Sequence, residues 1–162
     1  MKNTKRKEFT HGFKSGIPIA LGYIPVSFTF GLMAVSGGIP VWMAVFISFS
    51  NLTSAGQFAG TNLIISGASY LEITLTTFII NIRYMLMSLS LTQRLDKKMD
   101  TGKRLLVGYG VTDEIFSVAS VENGTLTFPY LMGLIRGPVI GWPSGTALGA
   151  LISTALPEHL SN

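Results

Sequence analysis

Two adjacent carboxylates, Asp113 and Glu114, lie inside an apolar stretch of this chain, and a lone arginine, Arg83, lies inside another. Ionisable groups are costly in apolar surroundings, so each is a functional candidate by default. A carboxylate withdrawn from water holds its proton more tightly and is suited to proton exchange. Beside a cation it forms an ion pair instead. Glu72 and Arg83 are eleven residues apart, about three helical turns, which puts them on one helix face with Thr76 and Ser90 nearby. The expected role of Asp113, Glu114, Arg83 and Glu72 is coupling or ion pairing, with Arg83 able to partner either acid. The structural alternative is an ion pair that only ties helices together, and Glu72, near a helix end, can equally be interfacial.

A second constellation is uncharged. Residues 48–60 read SFSNLTSAGQFAG, polar and small in the middle of a long apolar region. Ser54-Ala-Gly-Gln57 has the spacing of a capping box, in which Ser54 caps a new helix and Gln57 reaches back to it. A helix that starts inside an apolar layer presents free backbone N–H groups and its positive dipole end to whatever lies there. That arrangement binds carboxylates and phosphates. Asn51, Thr53, Ser54 and Gln57, joined by Tyr23 and Ser27, are therefore candidate substrate-binding residues. Phe28, Phe30 and Phe58 are candidates for an apolar side-chain pocket.

The surroundings of both constellations identify the class. Of the 162 residues 48% are hydrophobic and only 12% charged, with mean hydropathy +0.47, against about 25% charged in an average soluble domain. Five of the twelve Lys and Arg lie in residues 1–14 and five in 94–104. Apolar tracts flanked by short basic segments mark an all-α polytopic membrane protein. The net charge of +4 and pI near 9.5 then reflect orientation and contact with anionic headgroups rather than nucleic acid. With no cysteine there is neither a disulfide nor a thiol nucleophile. No Walker A loop, HExxH or GxSxG occurs, so no enzymatic activity, cofactor or metal is expected. The two histidines, His11 and His159, lie near the chain ends.

Along the chain, the first expected span is Gly16–Val35, kinked or broken near Tyr23–Pro25 because proline removes a backbone donor. Ala34-Val35-Ser36 is only a weak signal-cleavage match, so this span is read as retained. Ile39–Phe49 and Ala55–Ser66 are each too short to cross alone, and Tyr70–Leu91 is of full length. Both basic segments should face the cytoplasm, which requires an even number of crossings between them. A re-entrant hairpin over 39–66 with SNLTSAG at its tip satisfies this; four short crossings are the alternative. Leu105–Ser120 is expected to be another span, with Asp113 and Glu114 near its middle. Residues 126–156 are apolar but interrupted at Gly141-Trp142-Pro143-Ser144.

Glycine recurs at 133, 137, 141, 145 and 149, a strip on which a second helix can approach closely. Gly22-Tyr23, Phe30 and Gly38 recur as Gly108-Tyr109, Phe116 and Gly124 at an offset of 86, the trace of an internal repeat of the kind transporters use. The chain then reads as one transmembrane domain over 1–162, apparently incomplete: a first repeat-like half at 1–92, a cytoplasmic basic loop at 93–104 and a partial second half at 105–162.

Four segments, GYIPVSFTFG (22–31), SAGQFAG (54–60), LEITLTTFIINIRYMLMSLSL (71–91) and GYGVTDEIFSV (108–118), resemble in order the AzlC family of branched-chain amino-acid permeases. The resemblance implies a large permease subunit in the bacterial cytoplasmic membrane, multi-pass with a cytoplasmic N-terminus. It implies export of valine, leucine and isoleucine together with a small AzlD-type membrane subunit. The Gln57 region, Asn81–Arg83 and Thr112-Asp113-Glu114 are the polar positions shared with that family. Members of the family usually continue past the equivalent of Pro157 into further apolar helices, in keeping with an incomplete second half. Arg136, in a stretch otherwise free of charge, departs from the pattern. The rival reading is a non-transporting membrane scaffold that associates through its glycine strip.

Overall fold

The computed structural model describes residues 2–155. His159, Pro157 and the far end of the last apolar stretch lie outside the described residues. Seven helices follow one another: α1 (Lys2–Ser36), α2 (Val41–Ser50), α3 (Ser54–Ile65), α4 (Tyr70–Thr92), α5 (Thr101–Tyr109), α6 (Asp113–Val121) and α7 (Phe128–Ala155). No strand occurs among these residues, only an isolated bridge between Leu95 and Leu126. This is the helical architecture of a membrane protein, and α1 and α4 are each long and apolar enough to cross a bilayer. A long helix, a short broken pair, a long helix, a second short broken pair and a long helix follow in sequence.

Three expectations about breaks need correction. α1 runs unbroken through Pro18 and Pro25, and α7 runs unbroken through Gly141-Trp142-Pro143-Ser144. A proline removes one N–H and frees one carbonyl, a local loss that a helix in apolar surroundings survives because no water competes for its other bonds. Hydroxyls add further bonds here: Thr29 Oγ1 donates to the Pro25 carbonyl at 3.0 Å and Ser27 Oγ to that of Tyr23 at 2.8 Å. Conversely, the expected span Leu105–Ser120 is not one helix. It breaks at Gly110–Thr112 into α5 and α6. The offset-86 repeat therefore pairs an unbroken segment with a broken one.

The chain forms two compact units, one from Met1–Leu21 and Ile82–Ile140, the other from Gly22–Asn81 and Gly141–Asn162. In the first, Leu91, Val107, Ile115, Leu126, Leu131 and Leu134 belong to one buried cluster. The α5–α6 pair leaves the basic loop and returns to it. Arg94 donates to the carbonyls of Ala119 (3.2 Å), Ser120 (2.7 Å), Glu122 and Gly124 (3.1 Å). Two backbone bonds, Asp96 N to Leu126 O at 3.0 Å and Leu126 N to Arg94 O at 2.8 Å, fasten the loop further. A guanidinium suits this place because it carries five donors and meets the negative end of the α6 dipole. In the second unit Phe30, Ala34, Ile39 and Ala44 form the core. The α2–α3 pair also opens and closes at one turn, since a Cβ on Gly37 would overlap the Ile65 side chain. Gly38, at φ +89°, makes that turn in a conformation L-residues rarely adopt. α2 and α3 thus form a hairpin whose two ends meet, the arrangement that a re-entrant 39–66 requires.

Within each unit α1 and α7 touch through glycine. In the first, a Cβ on Gly133 would overlap the Phe9 carbonyl oxygen, one on Gly12 that of Tyr130 and one on Gly16 that of Leu134, while Gly137 faces Ala20 at 3.3 Å. In the second, Gly145 meets Ser27 and Ile24, Gly149 meets the Phe28 carbonyl and Gly31 that of Thr146. Gly141 is buried in α7. Backbone-to-backbone approach of this kind gives helices in lipid a large dispersion contact at low entropy cost. Gly133→Leu should therefore lower stability by about 1–3 kcal/mol or more, because backbone rather than a flexible side chain must yield. Thermal unfolding in detergent checks this; a melting temperature equal to wild type would show that the contact is not close-packed.

Candidate functional site

The break between α2 and α3 is built by Asn51, Leu52 and Thr53. Asn51 leaves the helix with φ −143° and ψ 103°. Its side-chain oxygen accepts the Thr53 backbone N–H at 3.1 Å and also the Thr53 hydroxyl. This is a local turn of the kind that lets Asn compete with helix hydrogen bonding. Thr53, not Ser54, is the N-cap of α3, and neither supplies a side-chain cap. The expected capping box is therefore absent. With Thr53 as cap, Gln57 is one residue too far along to reach back, and only its backbone N–H bonds the Thr53 carbonyl, at 2.8 Å.

The Gln57 side chain instead turns inward and is almost fully buried. Its Oε1 accepts the indole Nε1–H of Trp142 at 3.0 Å, and its Nε2 donates to Ser48 Oγ at 2.6 Å. Ser48 Oγ lies 2.7 Å from Thr146 Oγ1. The indole can only donate, so the amide orientation follows from it: oxygen toward Trp142, nitrogen toward Ser48. Trp142 also meets the Tyr23 ring edge-on at 5.1 Å, and Ser27, fully buried, bonds the Tyr23 carbonyl. Trp142, Ser48 and Thr146 belong to the same network as the predicted Gln57, Tyr23 and Ser27. An indole N–H inside an apolar run needs an acceptor, which is the signal that could have pointed to Trp142.

The first turn of α3 has its own neighbour. Gly56 has no side chain, and the amide of Asn81 fills the space, with Nδ2 2.7 Å from where a Cβ would be. The Asn81 Oδ1 is buried without a hydrogen-bond partner. Phe30 is fully buried and packs edge-on against Phe58 at 5.3 Å, while Phe28 gives its carbonyl to the Gly149 contact. The Phe30 and Phe58 rings belong to the core of the second unit rather than to an open pocket, a correction that follows from how closely they pack.

The second break is charged. Gly110 ends α5 and Thr112 begins α6, its hydroxyl accepting the Ile115 N–H at 3.4 Å. Asp113 and Glu114 form the first turn of α6, where carboxylates complement the positive dipole end, and not the middle of a continuous span as expected. Asp113 Oδ2 pairs with Arg83 at 3.0 Å. Arg83 also lies over the Tyr84 ring, 5.2 Å from its centroid. The Arg83 and Asp113 side chains keep 45% and 42% of their accessible surface. A charged pair that open cannot face hydrocarbon, so water or further protein covers it. Glu72 sits exposed in the first turn of α4.

A family model described as "AzlC protein" matches residues 18–156. The chain is 31% identical over 152 residues to the inner membrane protein YgaZ of Escherichia coli (strain K12), covering 91% of this chain and 62% of that one. It is 32% identical over 155 residues to an uncharacterized membrane protein of Archaeoglobus fulgidus, covering 94% and 66%. It is 25% identical over 162 residues to the branched-chain amino acid transport protein AzlC of Bacillus subtilis (strain 168), covering 93% and 61%. This chain thus spans 61% to 66% of the length of these relatives. No solved structure gives a significant match.

Trp142→Phe keeps an aromatic ring but removes the indole N–H and leaves the buried Gln57 oxygen unpaired. It should cost about 1–3 kcal/mol, with most of the loss shared with Gln57→Leu in a double-mutant cycle. Additive losses would mean that the two side chains do not depend on each other.

Proposed function

The chain belongs to the AzlC family, and from that premise we propose that it is the large subunit of a secondary transporter exporting valine, leucine and isoleucine. It crosses the bacterial cytoplasmic membrane several times with its N-terminus inside. The basic segments 1–14 and 94–104 both belong to the first unit and are separated by the crossings α1 and α4, in keeping with the positive-inside rule. One relative's name, branched-chain amino acid transport protein AzlC, supports the substrate class.

The observation that carries the reading is the uncapped start of α3 beneath a polar, partly open break. Three backbone N–H groups, from Ser54, Ala55 and Gly56, have no partner inside the helix. Together with the positive dipole end they suit the carboxylate that every amino acid shares. The Asn81 amide beside Gly56 is placed to assist. Asn51 and Thr53 shape the break, and Gln57 with Tyr23 and Ser27 holds it in place. The Arg83–Asp113 pair is the coupling element. Water or a small AzlD-type subunit supplies the cover that this pair requires. The scaffold reading is weakened because Gly133, Gly137, Gly145 and Gly149 already face α1 and are not free for another chain.

Labelled leucine or valine flux through vesicles holding this chain and the small subunit provides the test. Ser54→Leu should weaken substrate binding at least about tenfold, the equivalent of ~1.4 kcal/mol. Asp113→Asn should abolish the dependence of flux on a proton gradient while the protein still inserts. Wild-type binding by the first variant would remove the α3 start from the mechanism, and gradient-driven flux by the second would remove Asp113.

A further inference from the structure

The basic end of the first unit holds a groove of about 710 Å³ between the start of α1, the 96–103 segment and the start of α7. Lys5, Lys98 and Lys103 line it with Glu8 and Asp96, and Met99, Phe128 and Pro129 give it an apolar floor. The local carboxylates are engaged. Glu8 accepts the Thr127 hydroxyl at 3.0 Å. Asp96 accepts the Lys98 backbone N–H at 3.0 Å. Asp100 caps α5 through the Lys103 N–H and pairs with the Lys103 ammonium. Hydrogen bonding from Lys103 holds the Asp100 carboxyl below its ordinary range, so Asp100 stays ionised and committed to Lys103. Lys103 itself lies 5.9 Å from the Phe128 ring centroid.

Two ammonium groups are left over. Lys5 and Lys98 make no ion pair among the described residues. The start of α7 beside them is already answered, since the Thr127 hydroxyl accepts the Tyr130 N–H at 3.4 Å and donates to Glu8. Two unpaired cations above an apolar floor match a ligand with an anionic head and an apolar tail. The level is right as well, since basic segments beside membrane spans lie among lipid headgroups.

We propose that this groove is a binding site for one anionic phospholipid, with its phosphate between Lys5 and Lys98 and its acyl chain against Met99, Phe128 and Pro129. A bound lipid would join the start of α1 to the 96–103 segment and to α7, and so brace the end of the unit from which α5 and α6 dip. Nothing in this site is shared with the α3 start or the Arg83–Asp113 pair.

The test uses the protein in neutral detergent, titrated with phosphatidylglycerol, phosphatidylcholine or inorganic phosphate. Bound lipid is counted by native mass spectrometry and melting temperature is followed in parallel. Wild type should retain phosphatidylglycerol in preference to phosphatidylcholine and gain melting temperature from it. Lys5→Gln with Lys98→Gln should lose roughly tenfold or more in affinity, from two lysines near the surface, and Lys5→Arg with Lys98→Arg should keep it. Lys7→Gln with Lys14→Gln removes the same charge from residues that line a different surface of α1 and should leave binding intact. An equal loss in that control pair would reduce the effect to diffuse polybasic attraction and overturn the site. Saturation by inorganic phosphate alone, with no added gain from the lipid, would overturn the lipid assignment.

Discussion

A helix that ends within a membrane leaves terminal N–H and C=O groups where no water can reach them, and each unsatisfied group costs several kcal/mol. Everything distinctive in this structure follows from carrying two such interruptions. Each short pair, α2–α3 and α5–α6, turns within an apolar region, so each requires polar side chains at the break and a fixed anchorage elsewhere. The first is anchored by the Gln57 amide, held between the Trp142 indole and the Ser48 hydroxyl. The second is anchored at its return to the basic loop by Arg94, whose guanidinium engages four carbonyls. Arg94 replaces the water that would otherwise solvate an irregular backbone, whereas Gln57 ties side chains of α2 and α7 together.

The two breaks differ in what they leave open. At Gly110–Thr112 the new helix starts with a threonine cap and two acids, so its positive end is answered by its own side chains, and Asp113 also pairs with Arg83. At Asn51–Thr53 the side chains satisfy each other and leave the α3 start uncapped. An uncapped helix start retains its affinity for an anion; a start already carrying carboxylates repels one. The charged break already holds an ion pair through Asp113, and the uncharged one is where the proposed function puts the substrate carboxylate.

Much of this was legible in the sequence where composition and pattern agree. The apolar tracts between basic segments gave the class, the two short arms around SNLTSAG form the helix pair α2–α3, and Arg83 pairs with the first of the two acids, Asp113. Hydropathy failed where it was continuous. Residues 105–120 average as one span, yet Gly110 followed by Thr112-Asp113-Glu114 is a helix stop and start signal. The opposite failure occurred at Pro25 and Pro143, where local breaker signals were overridden by helix continuity in apolar surroundings. The Gln57 orientation was not readable at all, because it is set by the Trp142 indole, which lies 85 positions away and is brought to it only by tertiary packing.

Packing and chemistry are assigned to different helices, and the reason is steric. α1 and α7 approach through glycines until backbone meets backbone, which leaves no room at those contacts for a large side chain or for water. A charged pair placed in that seam would be stripped of solvent and would have to offset the full cost of desolvation. α4 is the opposite case: the most apolar window of this helix has no residue buried within the chain, although it carries Arg83. An arginine midway along such a helix is tolerable only beside a counter-charge and under a polar or proteinaceous cover, and Asp113 supplies the first of these. The tight glycine contacts hold the long helices together, whereas α4 carries a charge that only its pairing with Asp113 and a polar or proteinaceous cover make tolerable.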